Sequence, residues 1–140
     1  AYADGWAEHA SDLAEEMGLY SEYDLYGRYL WDAILCVRLV VDTGMNALGW
    51  SLEKARAFMA QHTSLTEKEI QMESLRYAVD MPGQALAYKM GSLKNQELRK
   101  KAEQGLGIAF NHKDYHQQVL QYGSVPLYVM EDIVSHFVNT

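Results

Sequence analysis

Hydrophobic residues recur at helical spacing along nearly the whole chain. The first stripe of apolar side chains is closed by Gly18 and comprises Ala3, Trp6, Ala7, Ala10, Leu13, Ala14 and Met17. A second, longer stripe should end at Gly49 and comprises Tyr26, Tyr29, Leu30, Ala33, Ile34, Val37 and Val41. Because residues three and four apart share one face of a helix, each stripe predicts an amphipathic helix.

Signals for helix starts divide the rest of the chain. Ser51 predicts the cap of a short helix over residues 52–61, and the capping box at residues 66–69 predicts a helix to about residue 79. Further helices are predicted from Pro82 to Gly91, over residues 93–104, over residues 112–122 with Asn111 as the cap, and from Ser124 and Pro126 onwards. No segment alternates like a strand, so we predict an all-α fold of about seven helices in one compact domain over residues 1–140. The amphipathic pattern begins at the first residues without a cap, which leads us to expect a fragment of a longer protein.

The charge balance excludes some partners. The 140 residues include 12 Lys and Arg against 19 Asp and Glu, a net charge of −7 with His neutral. Phosphate binding requires clustered basic residues, and the one short run, Lys94 with residues 99–101, is assigned to a solvated helix face. The longest apolar stretch, residues 33–41, is too short to cross a bilayer. We therefore expect neither a nucleic-acid partner nor a membrane span.

Cysteine and histidine give no strong metal signature. Cys36 is the single cysteine, which excludes an intrachain disulfide, and its apolar neighbours predict a buried, inert thiol. His112 and His116 stand four residues apart and could share a metal ion, but Lys113 occupies the place of the Glu in an HExxH helix. The remaining histidines are expected at the surface or at helix ends: His9, His62 and His136.

Carboxylates recur every four residues on the first helix, at Asp4, Glu8 and Asp12. This spacing places them on one face. A solvated acidic face is the favoured interpretation, and a metal ligand among the three is the alternative.

A polar row on the second helix consists of Arg38, Asp42 and Asn46, which share a face with Trp31 and Leu35. A charged pair beside large apolar side chains is expected to be partly desolvated. In one interpretation, which the spacing favours, the charged pair is a buried ion pair that holds neighbouring helices in register. In the other, the three polar side chains point into a cleft.

Polar residues also flank the predicted turn at Pro82 and Gly83. Arg76 and Tyr77 precede this turn, and Gln84 and Tyr88 follow it. An Arg can clamp a carboxylate, and a Tyr hydroxyl can donate to a developing oxyanion. Plain packing at a helix corner is equally compatible with the spacing.

Several segments together resemble the bacterial domain-of-unknown-function 885 family, whose helical members are similar to HExxH-type zinc metallopeptidases. The matching segments, in chain order, are residues 4–7, 13–20, 38–44, 49–51, 76–77, 82–89 with Gly91, 98–99, 115–116, 119–120 and 123–127. The Asp-Thr-Gly block at residues 42–44 and the Pro-Gly-Gln-Ala block at residues 82–85 are the most specific.

The resemblance implies that the chain is the C-terminal helical part of a longer protein. In the family, an upstream His-Glu-x-x-x-Gly-His segment supplies two metal-binding histidines and a catalytic Glu, and these 140 residues do not contain it. Asp4 stands at the position of a family Glu that completes the zinc site. We therefore expect zinc in the full-length protein and no zinc bound to this chain alone.

The resemblance also assigns roles to the polar residues. Arg76, Tyr77 and Asn46 take catalytic roles, and the substrate-binding roles fall to Arg38, Asp42, Gln84 and Tyr88. The chain departs from the family at Asp4, which is shorter than Glu, at Asn46, where the family usually has His, and at His9, where it favours Tyr.

Two functions follow from these observations. The first is the C-terminal portion of a zinc metallopeptidase-like hydrolase, inactive alone, with a peptide substrate and the missing N-terminal part as its partners. The alternative is a non-catalytic helical module for binding or assembly, or a degenerate member of the family. Exposed apolar surface on a fragment predicts self-association, and the resemblance implies a bacterial, exported or periplasmic protein.

Overall fold

The computed structural model describes all residues, 1–140, and its regular structure is entirely helical. Its seven α-helices are α1 (Tyr2–Glu16), α2 (Glu22–Ala47), α3 (Leu52–His62), α4 (Glu67–Leu75), α5 (Ala87–Leu106), α6 (His112–Leu120) and α7 (Leu127–Val138). The all-α prediction and the number of helices are confirmed. None of the helices is both long enough and apolar enough to cross a membrane.

Local capping explains where most of the helices begin. Ser21 and Thr66 form capping boxes with the residues three positions later, and the side chains of Ser51 and Asn111 accept hydrogen bonds from the first turns of α3 and α6. Each cap satisfies backbone N–H groups that have no partner within the helix. Three of these starts were predicted, at residues 51, 66 and 111.

The segment between α4 and α5 differs from the prediction. A π-helix, Arg76–Asp80, continues from α4, and the chain then turns at Pro82 and Gly83 before a short 3₁₀ helix, Gln84–Leu86. Pro82 therefore lies in a turn and does not open a helix. Gly83 has φ +82°, a left-handed conformation that favours glycine, and this conformation prevents helix from continuing through it.

Two apolar clusters form the core. The first lies between α2, α3, α4 and the turn, and its buried members are Val37, Val41, Ala55, Met59, Ile70, Tyr77 and Ala85. The second joins α5, α6 and α7 through Leu98, Ala102, Tyr115, Val119, Met130 and Val134. Helix α1 packs along α5, and α5 itself contacts α2 on one side and α7 on the other, so α5 links the two halves.

The prediction of a buried Cys36 is wrong, because this cysteine is exposed. The buried stripe of α2 includes Leu35, Arg38, Val41 and Asp42. At about 100° per residue, position 36 lies on the opposite side of the helix from this stripe. Apolar neighbours in the sequence therefore did not indicate burial.

The favoured interpretation of the acidic residues on α1 as a solvated face is wrong at Glu8, which is 5% exposed. Its carboxylate lies 3.1 Å from the Arg28 guanidinium and accepts a hydrogen bond from the Trp31 indole at 3.2 Å. Asp12 also pairs with Arg28, at 2.8 Å. These contacts join α1 to α2.

The basic run on α5 is likewise more than a solvated face. Arg99 makes a bidentate pair with Glu16 of α1, at 2.6 and 2.9 Å. Lys94 lies 3.1 Å from Glu131 of α7. The run therefore holds neighbouring helices to α5 and has its charge offset locally.

Large apolar side chains remain exposed on one part of α2. Tyr23, Tyr26 and Tyr29 are 91%, 66% and 57% exposed. This is the kind of surface on which the prediction of self-association rests, and that association stays a prediction.

Candidate functional site

The polar row on α2 is buried, but Arg38 and Asp42 do not pair with each other. Arg38 is 5% exposed and Asp42 is 2% exposed. Each side chain instead meets the segment that follows α4, Arg38 at Tyr77 and Gln84 and Asp42 at Gly83. The predicted ion pair is therefore absent, and the row connects α2 to the π-helix and the turn.

The Arg38 guanidinium is in contact with two aromatic rings. Its central carbon is 5.4 Å from the centroid of the Tyr77 ring and 5.3 Å from that of the Tyr88 ring, and such cation–π contacts are favourable when desolvated. One terminal nitrogen donates to the Gln84 side-chain oxygen at 3.1 Å, and the buried Nε has no partner. No carboxylate lies within ion-pair distance of this guanidinium.

Asp42 and Asn46 brace the turn. Both carboxylate oxygens of Asp42 accept the Gly83 N–H, at 2.9 and 3.1 Å. The Asn46 amide donates to Asp42 at 3.0 Å and to the Tyr77 carbonyl at 3.1 Å. These two side chains therefore position the π-helix and the turn relative to α2.

The π-helix orients Arg76 and Tyr77. The Met81 N–H donates to the Arg76 carbonyl at 2.9 Å, an i→i+5 bond that closes a wider turn than that of an α-helix. Such π-helical turns are frequent at functional sites. The Tyr77 hydroxyl donates to Glu73, which also lies 3.5 Å from Arg76. Burial and the hydrogen bond to Glu73 raise the pKa of Tyr77, so the hydroxyl keeps its proton.

Arg38 and Arg76 open onto one cavity of about 260 Å³ between α2 and α4. Its apolar walls are Trp31, Ile34, Leu65 and Met72, and its polar walls are Arg38, Glu69, Glu73 and Arg76. Mostly apolar walls with a few convergent charges are typical of ligand sites. Glu73 was missed by the sequence analysis, although its spacing of four residues from Tyr77 is a contact spacing on a helix.

All seven predicted catalytic and substrate-binding residues thus meet in one cluster, which we call the arginine cluster: Arg38, Asp42, Asn46, Arg76, Tyr77, Gln84 and Tyr88. The contacts bring them together without testing their roles. Asp4 lies outside this cluster, because none of its hydrogen bonds or ion pairs reaches it, and its carboxylate is 3.6 Å from the Ala1 amino group.

The zinc site implied for the full-length protein was compared with the donors present. Asp4 has a suitable carboxylate, and its side chain is 30% exposed. No group of three or more His, Cys, Asp or Glu side chains in the chain could hold a metal ion. Of the ligands that the resemblance implies for that site, this chain contains Asp4 alone.

The expectation of a surface position for His9 is wrong, since this side chain is 1% exposed. Its Nε2 lies 3.3 Å from Nε2 of His116, and its ring packs against Trp6 and Tyr115. Burial and the nearby His116 and Arg99 lower the pKa of His9 to about 4. His62 and His136 are exposed, as expected.

The protein is thus an all-α domain in which a buried arginine, in contact with two tyrosines, opens onto a small cavity. The chain belongs to the family described as "Bacterial protein of unknown function (DUF885)", which matches residues 1–134. No curated protein matches the chain.

A solved structure has the same fold. The chain resembles a "putative lipoprotein" from Colwellia psychrerythraea, with 38% identity and a TM-score of 0.91. The similarity covers 99% of this chain and 24% of the lipoprotein chain. The chain therefore spans about a quarter of the length of that relative.

Proposed function

We propose that the chain forms the substrate-binding wall of a peptidase-like hydrolase and that the arginine cluster holds a carboxylate of a peptide substrate. The observation that carries this proposal is the buried, unpaired guanidinium of Arg38 at the edge of the cavity. A buried charge without a partner is costly. A carboxylate entering the cavity would supply the missing partner.

The arrangement around Arg38 suits a planar anion. Tyr77 and Tyr88 both contact the guanidinium, and Gln84 fixes one terminal nitrogen. A restrained guanidinium loses little entropy when it binds a carboxylate with two parallel hydrogen bonds. Arg76, whose side chain is 42% exposed, provides a second positive charge at the same opening.

The apolar walls of the cavity support a peptide as the ligand. Ile34, Leu65 and Met72 could cover an apolar side chain next to the bound carboxylate. Glu69 and Glu73 offset the charges of Arg38 and Arg76, so the pocket has little net charge. Recognition of an anionic group therefore depends on its direct contact with the Arg38 guanidinium. We therefore favour a peptide C-terminus or an acidic side chain over an inorganic anion.

Catalysis in this proposal belongs to the longer protein. A zinc ion held by the family's upstream segment, with Asp4 as a further ligand, would supply an activated water. Tyr77 could donate a hydrogen bond to the reacting carbonyl only after leaving Glu73, since its proton is engaged there. Asn46, whose amide is already bonded to Asp42 and Tyr77, keeps the π-helix in place.

The satisfied state of Asn46 and Tyr77 also favours the second candidate, a non-catalytic helical binding module. In that case Arg38 would bind a carboxylate of a partner, and no reaction would follow. The two candidates share the carboxylate site and differ in turnover.

Calorimetric titration of the 140-residue chain tests carboxylate binding. We expect a short peptide with a free C-terminal carboxylate to bind at least about tenfold more tightly than its C-terminal amide, the difference that one charge-assisted contact makes. Arg38→Gln should remove this preference, and Lys100→Gln, a change at an exposed position, should preserve it. Equal binding of acid and amide, or binding of neither, would contradict the carboxylate site.

Zinc content and peptide hydrolysis of the longest natural form distinguish the two candidates. We expect zinc and turnover in that form or in its Asp4→Glu, Asn46→His variant. If both properties are missing from both forms while the carboxylate preference persists, the chain is a binding module.

A further inference from the structure

Two histidines from opposite ends of the sequence meet at the junction of α1 and α6. The Nε2 atoms of His9 and His116 are 3.3 Å apart, and the rings are nearly perpendicular at 81°. His9 is buried, and Trp6 and Tyr115 hold its ring from two sides. Both Nε2 atoms therefore point at one location from rings with little freedom to move.

We infer that His9 and His116 together bind one divalent transition-metal ion through their Nε2 atoms. Zn–N bonds measure about 2.0–2.1 Å, so two nitrogens on one tetrahedral ion lie about 3.3–3.4 Å apart, which matches the observed separation. The same 3.3 Å also lies within the range of an imidazole–imidazole hydrogen bond. The separation therefore allows both nitrogens to bind one metal ion without a large movement of either ring.

Imidazole ligands select the class of ion. Zn²⁺, Cu²⁺ and Ni²⁺ prefer nitrogen donors of this kind, whereas Mg²⁺ and Ca²⁺ prefer oxygen. Water molecules would complete the coordination, because no third His, Cys, Asp or Glu joins the pair. A site with two protein ligands binds an exchangeable ion.

An opening of about 520 Å³ gives a path to His9. Its lining is polar throughout and consists of His9, Asp12, Glu15, Glu16, Gln96 and Arg99. Three carboxylates against one guanidinium give this opening a negative balance that attracts cations. Asp12 and Glu16 form ion pairs with Arg28 and Arg99. These two carboxylates therefore contribute to the electrostatic attraction of a cation and do not coordinate it.

The competing arrangement is the i,i+4 pair on α6. The rings of His112 and His116 have their centroids 6.1 Å apart, and His112 is exposed. That pair needs a rearrangement of exposed side chains before it can share an ion. His9 and His116 need none, which makes them the preferred pair. The inference concerns a location other than Asp4 and is independent of the proposed function.

Titration of the 140-residue chain with ZnCl₂, followed by NMR of the histidine rings, tests the inference without any substitution. We expect one equivalent of Zn²⁺ to shift the ring signals of His9 and His116 together and to leave those of His62 and His136 in place. Shifts confined to His112 and His116, or no saturable shift at all, would overturn it.

Variants provide a second measurement. His9→Gln and His116→Gln should each weaken Zn²⁺ binding, measured by calorimetry, at least about tenfold. Even the loss of a residue that only hydrogen-bonds to a metal ligand lowers metal affinity by about that factor. His62→Gln is the matched control at an exposed histidine and should bind as the parent does. Should His112→Gln abolish binding while His9→Gln leaves it intact, the α6 pair is the site and the inference is wrong. Circular dichroism of each variant checks its folding.

Discussion

Gly5 of α1 and Gly91 of α5 are in backbone contact. A Cβ atom placed on Gly5 would lie 2.3 Å from the carbonyl carbon of Gly91, and one placed on Gly91 would lie 2.7 Å from Cα of Gly5. Real Cβ atoms do not approach backbone this closely. The close packing of α1 on α5 therefore requires glycine at both positions.

Substituting Gly5 by alanine should destabilise the fold. Forcing a methyl group into a packed contact costs about 1–3 kcal/mol, and this cost outweighs the gain in helix propensity of up to about 1 kcal/mol. Urea unfolding followed by circular dichroism measures the difference. Gly27→Ala in α2 is the matched control, because a Cβ there meets nothing within 4 Å, and it should stabilise the chain. Equal stabilisation by both changes would contradict the contact.

Replacing Glu8 by glutamine should also destabilise the chain. Glu8 and Arg28 are both nearly buried, with side chains 7% and 9% exposed, and removing one partner of a buried ion pair costs about 3–5 kcal/mol. We expect about 3 kcal/mol, since Asp12 still pairs with Arg28. Chemical unfolding provides the value. Asp132→Asn, at an exposed position, should change stability by less than about 0.5 kcal/mol, and a similar value for Glu8→Gln would show that its pair is solvated.

Local signals made most of the fold predictable. Ser51, Thr66 and Asn111 cap their helices through contacts within three residues, which a sequence displays directly. The turn at Pro82 and Gly83 was predicted, but the contact that holds it was not, because the Gly83 N–H donates to Asp42, 41 residues earlier in the chain. A pattern within one segment contains no information about such a partner.

In the candidate site, too, some contacts were predictable from the sequence and others depended on how distant helices pack. Spacing and family resemblance named residues that the structure brings into contact, such as Arg38 with Gln84 and Tyr88. The proximity of His9 and His116 was missed, since 107 residues separate them and their meeting depends on how α1 and α6 pack. Burial of Glu8 was missed for a related reason: its partner Arg28 belongs to another helix.

The bond from Gly83 to Asp42 predicts a specific effect of Asp42→Ala. The change leaves the Gly83 N–H and one bond of the Asn46 amide without an acceptor, at a cost of about 2–3 kcal/mol. Hydrogen exchange of the Gly83 amide should accelerate together with the loss of stability. Asp42→Asn keeps one oxygen acceptor and should have a smaller effect on both measurements. Unchanged exchange at Gly83 in the alanine variant would show that the turn is held by other contacts.

Acid should destabilise the chain through His9. Burial, His116 and Arg99 hold the pKa of His9 at about 4, against the opposing influence of Asp12 and Glu16. The unfolded chain binds a proton near pH 6.5, so stability is full above that pH and falls as pH drops from 6.5 towards 4. Burial lowers the pKa of His116 in the same direction. The loss attributable to His9 reaches about 3 kcal/mol, at about 1.4 kcal/mol per pH unit.

Unfolding free energies between pH 7.5 and pH 5, in the presence of a chelator, measure the part of this loss that occurs above pH 5, about 2 kcal/mol. His9→Gln removes the titrating group and should give a flatter dependence on pH, whereas His136→Gln, at an exposed position, should keep the parental slope. Because carboxylates titrate mainly below this range, a difference in slope between the two variants belongs to His9. Identical slopes would mean that His9 is protonated as readily in the folded chain as in the unfolded one. That result would contradict the burial of His9 between α1 and α6.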